Sequence, residues 1–171
     1  MTFLSRLFAR QADPRDRLKP LWYAVIAGSR QRRWYAELGV ADTVPGRFDM
    51  VSAMTVLALL RLERDPALAQ DAALLTELFI EDMDGQLREN GIGDVVVGKH
   101  IGRLMSVLGG RLGAYRDALA AADDAELTEA VRRNVTMTGG TDPAKLAAAL
   151  RAEHARFAAV DADALLAGDL A

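Results

Sequence analysis

Apolar residues recur at three- and four-residue spacing along almost the whole chain, while strand-like alternation is nearly absent. That pattern leaves an all-α domain, a single compact bundle of six to eight helices, as the architecture to expect. Asp13-Pro14 offers an N-cap followed by a proline at the first helical position. Leu18, Leu21, Trp22, Val25 and Ile26 then form a stripe that ends near Gly28. A short helix carries Trp34, Tyr35 and Leu38 and stops at Gly39. VADTVPGRFD reads as a loop punctuated by Pro45-Gly46. From about Phe48 to Arg64 the chain is apolar on most sides, as the buried centre of a bundle must be. Asp65-Pro66 breaks that helix.

The next helix spans about Ala67 to Asn90, with Leu75, Phe79, Met83 and Leu87 in an i+4 row and Gly91 as its C-cap. Another covers about His100 to Ala121. Asp123 or Asp124 caps a shorter one ending near Asn134, TMTGGT interrupts, and Asp142-Pro143 opens a last helix to about Val160. Residues 13–160 form the domain in this reading. Residues 1–12 form a flexible or amphipathic segment, and the acidic end, 161–171, is expected to fray.

With 171 residues the chain can bury a core without staples. It has no cysteine, which excludes disulfides, thiolate metal sites and cysteine nucleophiles. The formal charge of −3 gives no global field toward nucleic acid, and eighteen of the 21 basic residues are arginine, which suits planar pairing with carboxylates. The uncharged run Met50 to Leu60 is too short for a bilayer, which needs about 20 residues. No secretory signal or transit peptide is expected. Phe3, Leu4, Leu7 and Phe8 could rest weakly on an anionic membrane beside Arg6 and Arg10.

GIGDVVVGKH, residues 91–100, contains G-x-x-x-x-G-K from Gly93 to Lys99, the spacing of a phosphate-binding loop. Such a loop joins a strand to a helix and places serine or threonine after the lysine to hold magnesium. Here His100 follows Lys99, and LRENG before it ends a helix. A tight interhelical loop fits better, with Gly91, Gly93 and Gly98 supplying backbone freedom.

Other constellations carry little chemistry. Glu81, Asp82 and Asp84 crowd one helix without histidine, and Asp84 pairs naturally with Arg88 four residues on. His100 and His154 stand alone, and Ser29, Ser52 and Ser106 lack a nucleophile elbow. SRQRRWYAELG is more informative. Arg30, Arg32 and Arg33 beside Trp34 and Tyr35 suit a protein contact, a structural helix corner or an RNA surface.

RQRRWYAELGVADTVPGRFDM, LFIEDMDGQLRENGIGDVVVGKHIGRLM, GRLGAYRDAL and RRNV together resemble the ubiquinol–cytochrome c chaperone family, in its short bacterial form, over about residues 20 to 135. Arg30 and Tyr35 match its first motif. Asp42, Thr43, Gly46, Arg47, Phe48 and Asp49 match D-T-x-x-G-R-F-D, and Asp82, Asp84, Leu87, Arg88 and Glu89 match D-x-D-x-x-L-R-E. Gly91, Gly93, Asp94, Gly98 and Lys99 match G-x-G-D-x-x-x-G-K, and Gly110, Arg111, Tyr115 and Asn134 complete the set. Met54 stands where the family commonly has histidine, Leu108-Gly109 replaces an aromatic pair, and Asn90 replaces an apolar residue.

The resemblance implies a non-enzymatic assembly factor without cofactor or metal. Its partner would be newly made cytochrome b, or another subunit or assembly factor of ubiquinol–cytochrome c reductase, in a bacterial cytoplasm at the inner membrane face. The alternatives are an RNA- or ribosome-contacting adaptor using Arg30, Arg32 and Arg33, and an enzyme with a carboxylate metal site. In the chaperone reading the two loops lie together at one end of the bundle. Asp42, Asp49 and Asp94 there pair with Arg47, Arg88 or Lys99 and shape the rim of an apolar groove. Trp34, Arg111 and Tyr115 join the expected partner-binding set.

Overall fold

A computed structural model describes residues 13–89 and 97–170, with the side chains of 87–89 and 97–100 left aside. Among the described residues the regular elements are all helices. Helices α1 (Lys19–Ser29), α2 (Arg32–Ala36), α3 (Val44–Glu63), α4 (Ala69–Glu89), α5 (Val97–Ala120), α6 (Ala125–Asn134), α7 (Pro143–Ala159) and α8 (Ala162–Leu166) follow in order. Two 3-10 turns, Pro14–Leu18 and Pro66–Leu68, precede α1 and α4.

Helix α3 is the axis. It packs against α1, α4, α5 and α7, and every residue from Asp49 to Leu60 is buried. A helix surrounded on all sides has no room for a polar face, which is why this stretch of sequence is apolar nearly all round. Its two internal hydroxyls, Ser52 and Thr55, donate back to the carbonyls of Phe48 and Val51 at 2.8 Å. No buried donor is left over from them.

Three boundaries differ from the sequence reading. The first turn after Asp13 is 3-10 rather than α-helical. Pro20 has no N–H to offer Asp16, and the Lys19 N–H takes the Asp16 carbonyl instead. The segment expected as a loop ends sooner: Pro45 and Gly46 lie in the first turn of α3, capped by the Thr43 hydroxyl, which accepts from the Gly46 N–H at 3.3 Å. Gly46 is there because a Cβ would sit 2.0 Å from the Ala41 carbonyl oxygen. Finally, the end of the chain does not fray before Leu170. Asp161 caps α8 through the Ala164 N–H at 2.9 Å, and Leu165 and Leu170 are buried, with α8 against α1.

The arginine excess has a structural use. Arg61 donates twice to the Val160 carbonyl at the end of α7, at 3.0 and 2.7 Å. Arg151 reaches the carbonyls of Ala118 and Leu119 at the end of α5, and that of Asp123 in the turn before α6. Both guanidinium forks satisfy helix-terminal carbonyls that have no partner within their own helix.

The TMTGGT interruption also has a task. Gly39 adopts φ +79°, turning the chain so that Val40 bridges Met137. The Ala41 N–H then donates to the Thr136 carbonyl at 2.9 Å and the Thr138 N–H to the Gly39 carbonyl at 2.8 Å. A side chain at 39 would be excluded twice, by that dihedral and by Thr141, whose Cβ lies 2.5 Å from where its own would stand. This pairing pins the start of α3 to the loop between α6 and α7.

Candidate functional site

The corner between α1 and α2 is built by the aromatic residues of the first motif. The Trp34 indole donates to the Gly28 carbonyl at 2.7 Å and the Tyr35 hydroxyl to the Ser29 carbonyl at 2.9 Å. Both acceptors are among the last carbonyls of α1, which have no i+4 partner inside the helix. Trp34 is fully buried, so it holds the corner together and has no surface to offer a partner. Arg33 turns the same way. It stacks on Trp34, 4.2 Å from the ring centroid, and pairs with buried Glu153 on α7. The three arginines expected to act together are thereby split, with Arg30 and Arg32 left exposed.

Asp49 is the hub of the second constellation. Its carboxylate accepts from Arg111 Nη2 at 2.5 Å and from the N–H and hydroxyl of Thr136 at 2.8 and 2.7 Å. It thus ties α3 to α5 and to the loop after α6. Of the cations expected near Asp49, Arg47 is not its partner. The helix that starts at Val44 turns Asp49 inward toward α5, and exposed Arg47 pairs with Asp42 at 2.7 Å instead. That contact holds the Asp42 carboxyl below the usual range and raises Arg47, each mainly through the hydrogen bond with the other. Arg111 also lies over Phe48, 5.4 Å from the ring centroid. Among the described residues its Nε and Nη1 are buried without a hydrogen-bond partner, as is the Tyr115 hydroxyl one turn further on. Burial pushes Tyr115 up to about 12.

Between α1, α2 and the start of α3 on one side and α4 and α5 on the other lies a cleft of about 1310 Å³. Phe48, Val51, Met83, Leu104 and Val107 give it apolar walls, and Val44, 77% exposed, stands at its edge. Arg30, Arg32, Arg47, Arg103 and Arg111 line it as well, with Tyr35 and Asp42. Desolvation raises the Tyr35 phenol. Residues far apart in the sequence motifs (Arg30, Tyr35, Asp42, Arg47 and Arg111) therefore meet around one opening.

The other expected site residues fall elsewhere. Thr43 caps α3 and Gly46 packs on backbone, so both shape the cleft wall without lining it. Tyr115 is 1% exposed and belongs to the core. Asp82 and Asp84 flank Met83 on α4 but do not line the cleft. Glu81 beside them pairs with Arg15 at 2.5 Å. Among the described residues no group of three or more acidic or histidine side chains is placed to hold a metal ion. The positions Arg88, Gly91, Gly93, Asp94, Gly98 and Lys99, like Phe3, Leu4, Leu7 and Phe8, lie outside the described residues or side chains. Asn90, where the family has an apolar residue, lies outside them too. At the other two departures the chain uses apolar packing. Met54 is buried with its methyl 3.0 Å from where a Cβ on Gly28 would sit, and Leu108 is core.

Sequence reasoning missed Val44, Val107 and Arg103. Thr43-Val44-Pro45 is a cap followed by a proline in the first helical turn, a start signal that would have put Val44 on a helix. Arg103 carries no such signal, because its place on the cleft depends on how α5 is rotated against α4.

No helix of the described residues is long and apolar enough to cross a membrane. No curated protein matches the chain. Among solved structures, the crystal structure of the Cbp3 homolog from Brucella abortus matches with a TM-score of 0.80 and 34% sequence identity, over 97% of this chain and 94% of that one. The family model described as ubiquinol-cytochrome C chaperone matches residues 36–171, reaching further toward the C-terminus than the sequence motifs do. With both the pattern of its residues and its fold in agreement, the chain belongs to the ubiquinol–cytochrome c chaperone family.

Proposed function

We propose that this protein is a non-enzymatic assembly chaperone for ubiquinol–cytochrome c reductase that receives newly made cytochrome b, or an assembly factor travelling with it, in the cleft between α1–α3 and α4–α5. One observation carries this reading: motif residues from distant parts of the sequence converge on a single opening with apolar walls. Apolar side chains exposed in a cleft lose contact with water when a partner's apolar segment fills it, a gain of about 25 cal/mol per Å². A groove between helices is the usual receptacle for such a segment. In this reading the protein works in the bacterial cytoplasm at the inner face of the membrane, without cofactor or metal.

The experiment is a gene deletion complemented with the wild-type chain or with Val44→Asp and Val107→Asp. Neither position is fully buried, so both variants should accumulate at normal levels while assembled reductase falls and cytochrome b no longer co-purifies. Full assembly of the reductase in the deletion strain would remove the proposal.

A further inference from the structure

The charges around the cleft narrow what it can accept, a step that rests on the chaperone reading above. Among the described residues five arginines and one carboxylate, Asp42, line the cleft; Arg47 holds Asp42, and Asp49 pairs with Arg111. Arg30, Arg32 and Arg103 are exposed and have no carboxylate partner among the described residues. Arg111, 8% exposed, has among the described residues one hydrogen bond, to Asp49, and two nitrogens without a partner. The whole chain carries −3, so this positive excess is local. An apolar segment bounded by lysine or arginine would bring like charges against uncompensated guanidinium groups. One bounded by carboxylates would meet planar forks that fit them.

We propose that the cleft selects an apolar protein segment carrying carboxylates and rejects one flanked by basic residues. The chain's own residues 1–12 are a poor occupant by the same rule, since they contain Arg6 and Arg10 and no acidic residue. For a membrane client the consequence is specific. The cytoplasmic ends of membrane spans are rich in lysine and arginine, so the segment that enters here comes from another part of the client or from an acidic helix of an accompanying protein.

The test uses the full-length protein and three synthetic peptides of about 15 residues, long enough to form a helix. They share one leucine- and alanine-rich core and carry glutamate, glutamine or lysine at the flanking positions. Fluorescence anisotropy at about 50 mM salt, where surface charges are weakly screened, should show the glutamate peptide binding roughly tenfold tighter than the glutamine peptide. The lysine peptide should bind weakest. In R30Q/R32Q/R103Q the preference should fall to roughly onefold with an unchanged melting midpoint, since all three side chains are exposed.

Equal binding of all three peptides, or tightest binding of the lysine peptide, overturns the selection while leaving an apolar-segment cleft in place. No binding by any of them overturns it too, and the deletion strain then reports separately on the chaperone reading. If phosphatidylglycerol vesicles displace the glutamate peptide and phosphatidylcholine vesicles do not, the arginines serve an anionic lipid surface and the peptide assignment falls.

Discussion

Removing the Asp49 carboxylate tests whether the cleft's frame depends on one buried ion pair. In Asp49→Ala three hydrogen bonds disappear, and their donors fare differently. Thr136 is exposed, so water replaces the lost acceptor there. Arg111 is 8% exposed and loses its only hydrogen bond among the described residues, leaving a buried charge without compensation. Breaking a buried pair in this way costs about 3–5 kcal/mol, a large share of the ~5–15 kcal/mol that holds a domain of this kind together. The reverse change, Arg111→Met, leaves Asp49 with both Thr136 bonds and should cost less, about 2–3 kcal/mol. In the double variant neither charge remains, and its cost should fall short of the sum by about 2 kcal/mol or more. Urea denaturation followed by circular dichroism, with unchanged slopes, gives all four corners of the cycle. An Asp49→Ala loss under about 1 kcal/mol, a larger loss for Arg111→Met, or additive singles would each refute the reasoning.

Two further substitutions separate burial from bonding and probe the close approach at the start of α3. The Tyr115 hydroxyl has no hydrogen-bond partner among the described residues and its pKa is raised by burial to about 12, against about 10 in an unfolded chain. Stability from this group is therefore complete below pH ~10 and is lost as pH rises toward 12, by about 2–3 kcal/mol. Tyr115→Phe should be within about 1 kcal/mol of wild type at pH 7 and should flatten the fall in urea midpoint between pH 9 and 12; parallel alkaline limbs would contradict the assignment. Gly46→Ala would set a Cβ 2.0 Å from the Ala41 carbonyl oxygen, a backbone atom that cannot rotate away. It should cost about 1–3 kcal/mol in thermal unfolding, and a wild-type melting curve would show that α3 shifts freely at its first turn.

Much of the fold was legible because helix periodicity and helix stops are local properties. Asp65-Pro66 and Asp142-Pro143 end or begin helices where the sequence says they should, α2 ends at Ala36 ahead of the expected stop at Gly39, and the apolar run of α3 is the bundle's centre. What the sequence could not supply is rotation. Trp34 looks like an interface residue by type, yet its ring is turned to the Gly28 carbonyl. Asp49 looks like a rim charge by its neighbours Arg47 and Phe48, yet one face of α3 aims it at Arg111, 62 residues away. The end of the chain reads as a tail because Leu165 and Leu170 are too few to form a stripe. Both are buried, and for Leu165 α1 offers α8 a surface that no local pattern records.

The same distinction between local and global charge governs how a partner would arrive. Charges at an interface rim commonly act by speeding association, and the arginines of this cleft would do so if they dominated the field at a distance. They do not, because the chain as a whole carries −3 and surface charges are averaged once a ligand is more than about 10 Å away at 0.1 M salt. A carboxylate-bearing segment meets the positive excess only once it is in the cleft, where it slows departure. Stopped-flow binding of the glutamate peptide should therefore show a dissociation rate that rises several-fold between about 50 and 500 mM salt, while the association rate changes by less than about twofold. A steep drop in association rate with salt would mean that the arginines steer from afar, and the cleft's local excess would no longer be what decides its occupant.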